Sequence, residues 1–146
     1  MKKSLIVEII SSLLVVLFAY AAISKLLDYK TFQIQLGRSP YLARVSTLTV
    51  WLVPLSELFT ATLLIITKKR LIGLYMSFFL MLLFTLYIYS MLHFSYYIPC
   101  SCGGVLSKMS WNQHLLFNIV FTGLALIGII LEKKPIPNSS ILQIQQ

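Results

Sequence analysis

Two cysteines stand one residue apart in the stretch Tyr97-Ile98-Pro99-Cys100-Ser101-Cys102-Gly103-Gly104, and the chain has no others. In an oxidising compartment such a pair readily closes into a local disulfide or accepts one by exchange. One intervening residue does not freely supply the preferred Cα separation and S–S dihedral, and departures from that geometry make a disulfide more reducible. As a structural staple the ring would gain little, because so short a loop has almost no entropy to remove. The spacing therefore suits electron exchange better than stabilisation. Pro99 and the two glycines fit a tight turn that keeps the sulfurs accessible. The bland alternative is two unreactive cysteines at a helix end.

Glu57 is the second signal. It falls inside an apolar run, ~13 Å below the surface at ~1.5 Å per residue. A carboxylate at that depth is expensive, so it should face the interior of a bundle and be paired or protonated. Lys25, near the end of the first apolar run, is the natural partner. Such a pair either locks the bundle or handles protons. His93 ends the third run, and His114 and Asn118 begin the fourth, one helical turn apart on one face. Lys25, Glu57, His93, His114 and Asn118 thus form a candidate polar cluster under the cysteines. Either histidine alone also reads as an interfacial residue, like Tyr96, Tyr97 and Trp111. Cys100, Cys102, Met91, Met109 and the histidines include ligands suited to Cu(I), but methionines are also ordinary packing residues in apolar helices. No metal site is assigned.

The elements that position these residues are membrane spans. The chain has 146 residues, 58% hydrophobic and 11% charged, with a mean hydropathy of +0.87. A soluble domain is typically ~25% charged, so too little charge is left to cover a surface. Four apolar runs are each long enough to cross a bilayer, which takes ~20 residues. Without water in the bilayer core, backbone groups must pair within each segment, so the runs should be helices. The expected fold is all-α, an integral membrane four-helix bundle over residues 1–134. Its helices are expected at about 5–27, 40–67, 71–96 and 112–131. Ser39-Pro40 looks like an N-cap followed by a first-turn proline, which starts the second helix at Pro40. Pro54 should kink that helix. The connection Asp28–Thr47 is long and mildly amphipathic, and residues 135–146 read as a mobile tail. Lys2-Lys3, the apolar stretch and Ala19-Tyr20-Ala21 imitate a cleaved signal. Glu8 interrupts that stretch and the run continues to Leu27, so an uncleaved anchor is expected.

The net charge of +8 serves orientation rather than nucleic-acid binding. Lys2, Lys3, Lys68, Lys69, Arg70, Lys133 and Lys134 fall on one side of a four-helix arrangement, and Lys25, Lys30, Arg38, Arg44 and Lys108 on the other. The tight Lys68-Lys69-Arg70 turn and the two termini weigh most. Both termini should be cytoplasmic, and the cysteine loop should face the periplasm.

The chain resembles the MauE/DoxX-like redox-associated membrane proteins, in a Bacteroidetes-type branch. The matching pieces are Phe18-Ala19-Tyr20-Ala21-Ala22-Ile23-Ser24-Lys25-Leu26-Leu27-Asp28, then Pro54-Leu55-Ser56-Glu57, then Cys100-Ser101-Cys102-Gly103. Ser110-Trp111-Asn112-Gln113-His114 with Asn118 completes the order. The resemblance implies a helper of periplasmic disulfide chemistry in the bacterial inner membrane, alongside a thioredoxin-like partner. It carries functional weight to Lys25, Pro54, Glu57, Cys100 and Cys102. The family's usual aromatic after the second cysteine is replaced by Gly103-Gly104, which leaves the substrate open.

The expected function is thiol–disulfide exchange by Cys100 and Cys102 with a thioredoxin-like periplasmic protein or a secreted cysteine-containing substrate. Lys25, Glu57, His93, His114 and Asn118 would support it or move protons. The lipid bilayer is the other partner. The cofactor is unassigned, with a quinone as one candidate. The rival readings are a soft-metal handling protein and a noncatalytic subunit of a larger membrane complex.

The charge count generates a topological prediction. After mild reduction, both cysteines should react with a membrane-impermeant thiol reagent in intact spheroplasts. Labelling only after the membrane is opened would place their loop on the cytoplasmic side.

Overall fold

The computed structural model describes residues 2–95 and 110–133. Among these the chain forms α1 (Lys2–Leu27), α2 (Tyr29–Arg38), α3 (Ser46–Ile65), α4 (Arg70–Phe94) and α5 (Trp111–Lys133), with no strand. Single 3₁₀ turns at Ala43–Val45 and Thr67–Lys69 lead into α3 and α4. Four segments are long and apolar enough to cross a membrane: Lys2–Leu27, Ala43–Ile65, Thr67–Phe94 and Trp111–Lys133. The expected four-helix membrane bundle is therefore present. The cysteine loop and the tail expected over 135–146 lie outside the described residues.

The four spanning helices pack as a ring in the order α1, α3, α4, α5. Contacts set their directions. Gly73, at the start of α4, lies against Leu63 and Leu64, at the end of α3. Gly128, near the end of α5, lies against Leu74 and Ile10, near the starts of α4 and α1. The helices therefore run up and down alternately. Each buries a narrow stripe at three- and four-residue spacing: Val7, Ile10, Leu14 and Phe18 on α1, and Leu74, Ser77, Met81, Ile88 and Met91 on α4. That spacing is the signature of a helix packing one seam into its neighbours. The remaining faces carry exposed Leu13, Val16, Leu52, Phe59, Phe79 and Ile119, as expected where lipid is the solvent. Two buried hydroxyls are satisfied inside their own helices, Thr60 donating to the Ser56 carbonyl and Ser77 to the Gly73 carbonyl at 2.8 Å, whereas that of Ser11 has no partner among the described residues.

The connection after α1 differs from the sequence reading. It holds the separate helix α2, and the second spanning helix starts at Ser46 rather than Pro40. Ser39 caps nothing at an N-terminus. It ends α2, its amide donating to the Leu36 carbonyl at 3.1 Å. Its fully buried hydroxyl accepts from the Tyr87 hydroxyl at 3.0 Å and lies 4.0 Å from the Met91 sulfur. A serine hydroxyl engaged by another helix is unavailable for capping. Phe32 and Leu36, one turn apart, bury against Val50, while Lys30 and Arg38 stay exposed. Tyr29 stacks on Trp51 with centroids 6.0 Å apart. The segment is thus a strap laid across the end of the bundle. Helix α3 runs through Pro54 without interruption.

Close approach of α3 and α4 depends on Gly73. A Cβ there would stand 2.8 Å from the Leu64 backbone nitrogen and 3.0 Å from the Leu63 carbonyl carbon. Backbone cannot move aside as a side-chain tip can, so Gly73→Val should destabilise the bundle by about 1–3 kcal/mol, the usual overpacking penalty. Gly123 has open space where its Cβ would be. Gly123→Ala should be neutral or mildly stabilising, since alanine is the better helix former. Unfolding in mixed micelles checks both; equal effects would deny Gly73 its packing role.

Candidate functional site

Alternating helix directions bring the end of α1, the start and middle of α3, the end of α4 and the start of α5 together toward one end of the bundle, where α1, α3 and α5 contribute polar groups. Lys25 sits in the last turn of α1, where a cation also suits the helix dipole. Glu57 lies on the inward stripe of α3 with Val50, Pro54 and Ala61. His114 and Asn118 lie on the inward face of α5.

The Lys25 ammonium donates to Glu57 Oε1 at 2.6 Å, with the carboxylate side chain 1% exposed and the lysine 11%. The ammonium also lies 5.5 Å from the Phe84 ring centroid and 5.9 Å from that of Phe32, within reach of both ring faces. One cation is thus held by a carboxylate and two aromatic walls. Glu57 Oε2 has no hydrogen-bond partner among the described residues.

The start of α5 is built by a reciprocal cap. The Ser110 amide donates to Gln113 Oε1 at 3.1 Å, and the Gln113 amide donates to Ser110 Oγ at 3.4 Å. This is the Ser-x-x-Gln capping box, a signal present in the sequence but not used in reading it. The cap fixes where His114 enters the bundle. His114 is buried, with the Trp111 ring centroid 6.3 Å away. Asn118 Nδ2 turns back to the His114 carbonyl at 2.9 Å. Lys25, Glu57, His114 and Asn118 all line one cavity of about 340 Å³, whose apolar wall includes Phe32, Met81 and Phe84.

Of the expected cluster, His93 does not join. Its side chain is exposed, its ring stacks on Tyr89 at 4.3 Å, and its Nδ1 lies 3.1 Å from the Tyr89 carbonyl. The reason is helical geometry. Met91 points fully inward, and a residue two positions further along a helix points nearly the opposite way. Cys100 and Cys102 lie outside the described residues. Sequence reading also missed Phe32, Phe84 and the Tyr87–Ser39 bond. Phe32 had a signal, its i, i+4 pairing with Leu36, whereas Phe84 and Tyr87 look like any aromatics in an apolar run.

A family model described as methylamine utilisation protein MauE matches residues 3–131. Neither curated proteins nor solved structures gave a match.

The ion pair generates a mutational cycle. Removing one partner of a buried pair typically costs about 3–5 kcal/mol, because the other charge is stranded, whereas replacing both with apolar groups is often near neutral. Lys25→Met and Glu57→Leu should each destabilise strongly, and Lys25→Met/Glu57→Leu should recover most of the loss. Glu8→Leu, at an exposed position of α1, should change little. Simple additivity in denaturant unfolding of the detergent-solubilised protein would show that the two charges do not depend on each other.

Proposed function

The chain belongs to the MauE family and is a multi-pass membrane protein; from that premise we propose that it is a thiol–disulfide exchange protein of the bacterial inner membrane. Cys100 and Cys102 exchange an electron pair with a thioredoxin-like protein or a secreted cysteine-containing substrate on the periplasmic side. The observation that carries this reading is convergence. Helix α4 stops at Phe94 and α5 begins at Trp111, so the segment with both cysteines is anchored at the bundle end that also holds Lys25, Glu57, His114 and Asn118. Four of the site residues expected from the sequence therefore share one cavity beneath the anchors of that segment.

The exchange is balanced without a further reagent. A thiolate of the reduced pair attacks the partner's disulfide, a mixed disulfide forms, and the second cysteine displaces the partner thiol. Two electrons and two protons leave Cys100 and Cys102 and appear on the partner's two thiols. The reverse sequence reduces the pair. The ion pair gives the exchange a rigid platform, because a paired charge inside the bilayer fixes α1 against α3.

Glutathione buffers in detergent test the proposal. The pair should interconvert between dithiol and disulfide within the glutathione range. A single Cys100→Ser or Cys102→Ser variant should accumulate a mixed disulfide with an added thioredoxin-like protein. Two thiols that never pair under oxidising buffer, a bond that resists reduction throughout, or full cellular function in Cys100→Ser/Cys102→Ser would overturn it. The last result would favour a noncatalytic subunit.

A further inference from the structure

The cavity beside the ion pair has a chemistry of its own. Its volume is about 340 Å³, at the small end of the range for ligand sites. Most of its wall is hydrocarbon and aromatic, including Phe32, Met81 and Phe84. Its polar groups are few: the Lys25 ammonium, the Glu57 carboxyl, His114 and Asn118 among them. Glu57 is fully buried, yet its Oε2 has no partner among the described residues. A buried oxygen left unpaired is costly, so a site that keeps one invites a ligand that can pair with it.

We infer that this cavity binds the head group of a quinone, a neutral planar ring whose two carbonyl oxygens become hydroxyls on reduction. Charge balance selects a neutral ligand. Lys25 and Glu57 already compensate each other at 2.6 Å, and a charged head group would add an unpaired charge within the membrane. A bare hydrocarbon would pair with neither Oε2 nor the remaining ammonium donors, so hydrogen-bonding capacity favours a ligand with polar oxygens. An ammonium carries three donors, and one is spent on Oε1. A second donates to a quinone carbonyl, while Oε2 accepts from a quinol hydroxyl. Both redox forms therefore find a partner in the same site. The volume takes a ring, and an isoprenoid tail stays in the bilayer.

The residues that carry the binding, Lys25, Glu57, Phe32, Met81 and Phe84, all belong to the described helices. The redox step rests on the thiol reading above. The dithiol of Cys100 and Cys102 loses two electrons and two protons, breaking two S–H bonds and forming one S–S bond. The quinone gains both and forms two O–H bonds.

The test begins with full-length Cys100→Ser/Cys102→Ser protein in detergent, so that binding is read without thiol chemistry. The probes are 2,3-dimethyl-1,4-naphthoquinone and 2,3-dimethylnaphthalene, which share a ring system and differ in the two carbonyls. The quinone should bind at least about ten-fold more tightly, the ratio one hydrogen bond to a charged group supplies. Adding Lys25→Met/Glu57→Leu should erase the difference while keeping the hydrocarbon's affinity. Ala21→Leu, which adds bulk to the cavity wall, should weaken the quinone by a similar factor and covers the case in which the charge-free variant fails to fold. Equal affinity for the two probes, or quinone affinity untouched by Ala21→Leu, overturns the inference; equal affinity identifies a hydrocarbon pocket for a lipid chain. In protein with both cysteines, the quinone should oxidise the reduced pair with one quinol formed per disulfide. Tight binding without thiol oxidation supports the site and overturns the electron transfer from the cysteines to the quinone. Thiol oxidation without tight binding does the reverse.

Discussion

The bilayer offers no water to a buried charge, and the Lys25–Glu57 pair is the bundle's answer to that constraint. Glu57 is fully buried and Lys25 nearly so, and each makes the other's position tolerable. Their bond crosses from the end of α1 to the middle of α3, so it sets the depth at which these helices meet. Apolar packing alone would not set that depth sharply. In lipid, leucine against leucine is little better than leucine against an acyl chain. A polar pair within the seam supplies the register that the stripes of Leu, Ile and Phe do not.

Around that pair the protein divides into two regions. One end is tightly closed, with Gly73 bringing α4 against the α3 backbone and Gly128 bringing α5 against Leu74 and Ile10. The other end contains the cavity, and the strap α2 closes over it through Phe32 and Leu36. The strap is tied to α4 by the Tyr87–Ser39 bond, which satisfies a fully buried hydroxyl. A site of this kind needs a rigid frame with a small volume left open, and the glycine-tight end supplies the frame.

The polar groups at the open end are not equivalent. Asn118 commits its amide nitrogen to the His114 carbonyl and so braces the first turns of α5. The Ser110–Gln113 cap does the same from outside. Both act on backbone. Lys25 and Glu57 keep unspent capacity, two ammonium donors and one carboxylate oxygen, in contact with the cavity. The ion pair therefore offers hydrogen-bonding capacity to the cavity, and α5 forms the facing wall.

Much of this was legible in the residues. The four spans follow from length and apolarity, because a bilayer leaves a chain no alternative to the helix. The Lys25–Glu57 pair follows from the cost of an intramembrane charge, which leaves Glu57 few choices of partner. His114 and Asn118 share a face because they are four residues apart. Tertiary structure decided the rest. Whether Ser39 begins one helix or ends another depends on Tyr87, 48 residues away, competing for its hydroxyl. His93 turns outward because Met91 takes the inward position on the same turn of α4. The cavity belongs to no segment; it exists where five helices fail to meet, and no local pattern encodes a gap. Local periodicity and solvation cost reach only as far as one helix and its obligatory partners, and the space between helices is set by how all of them pack at once.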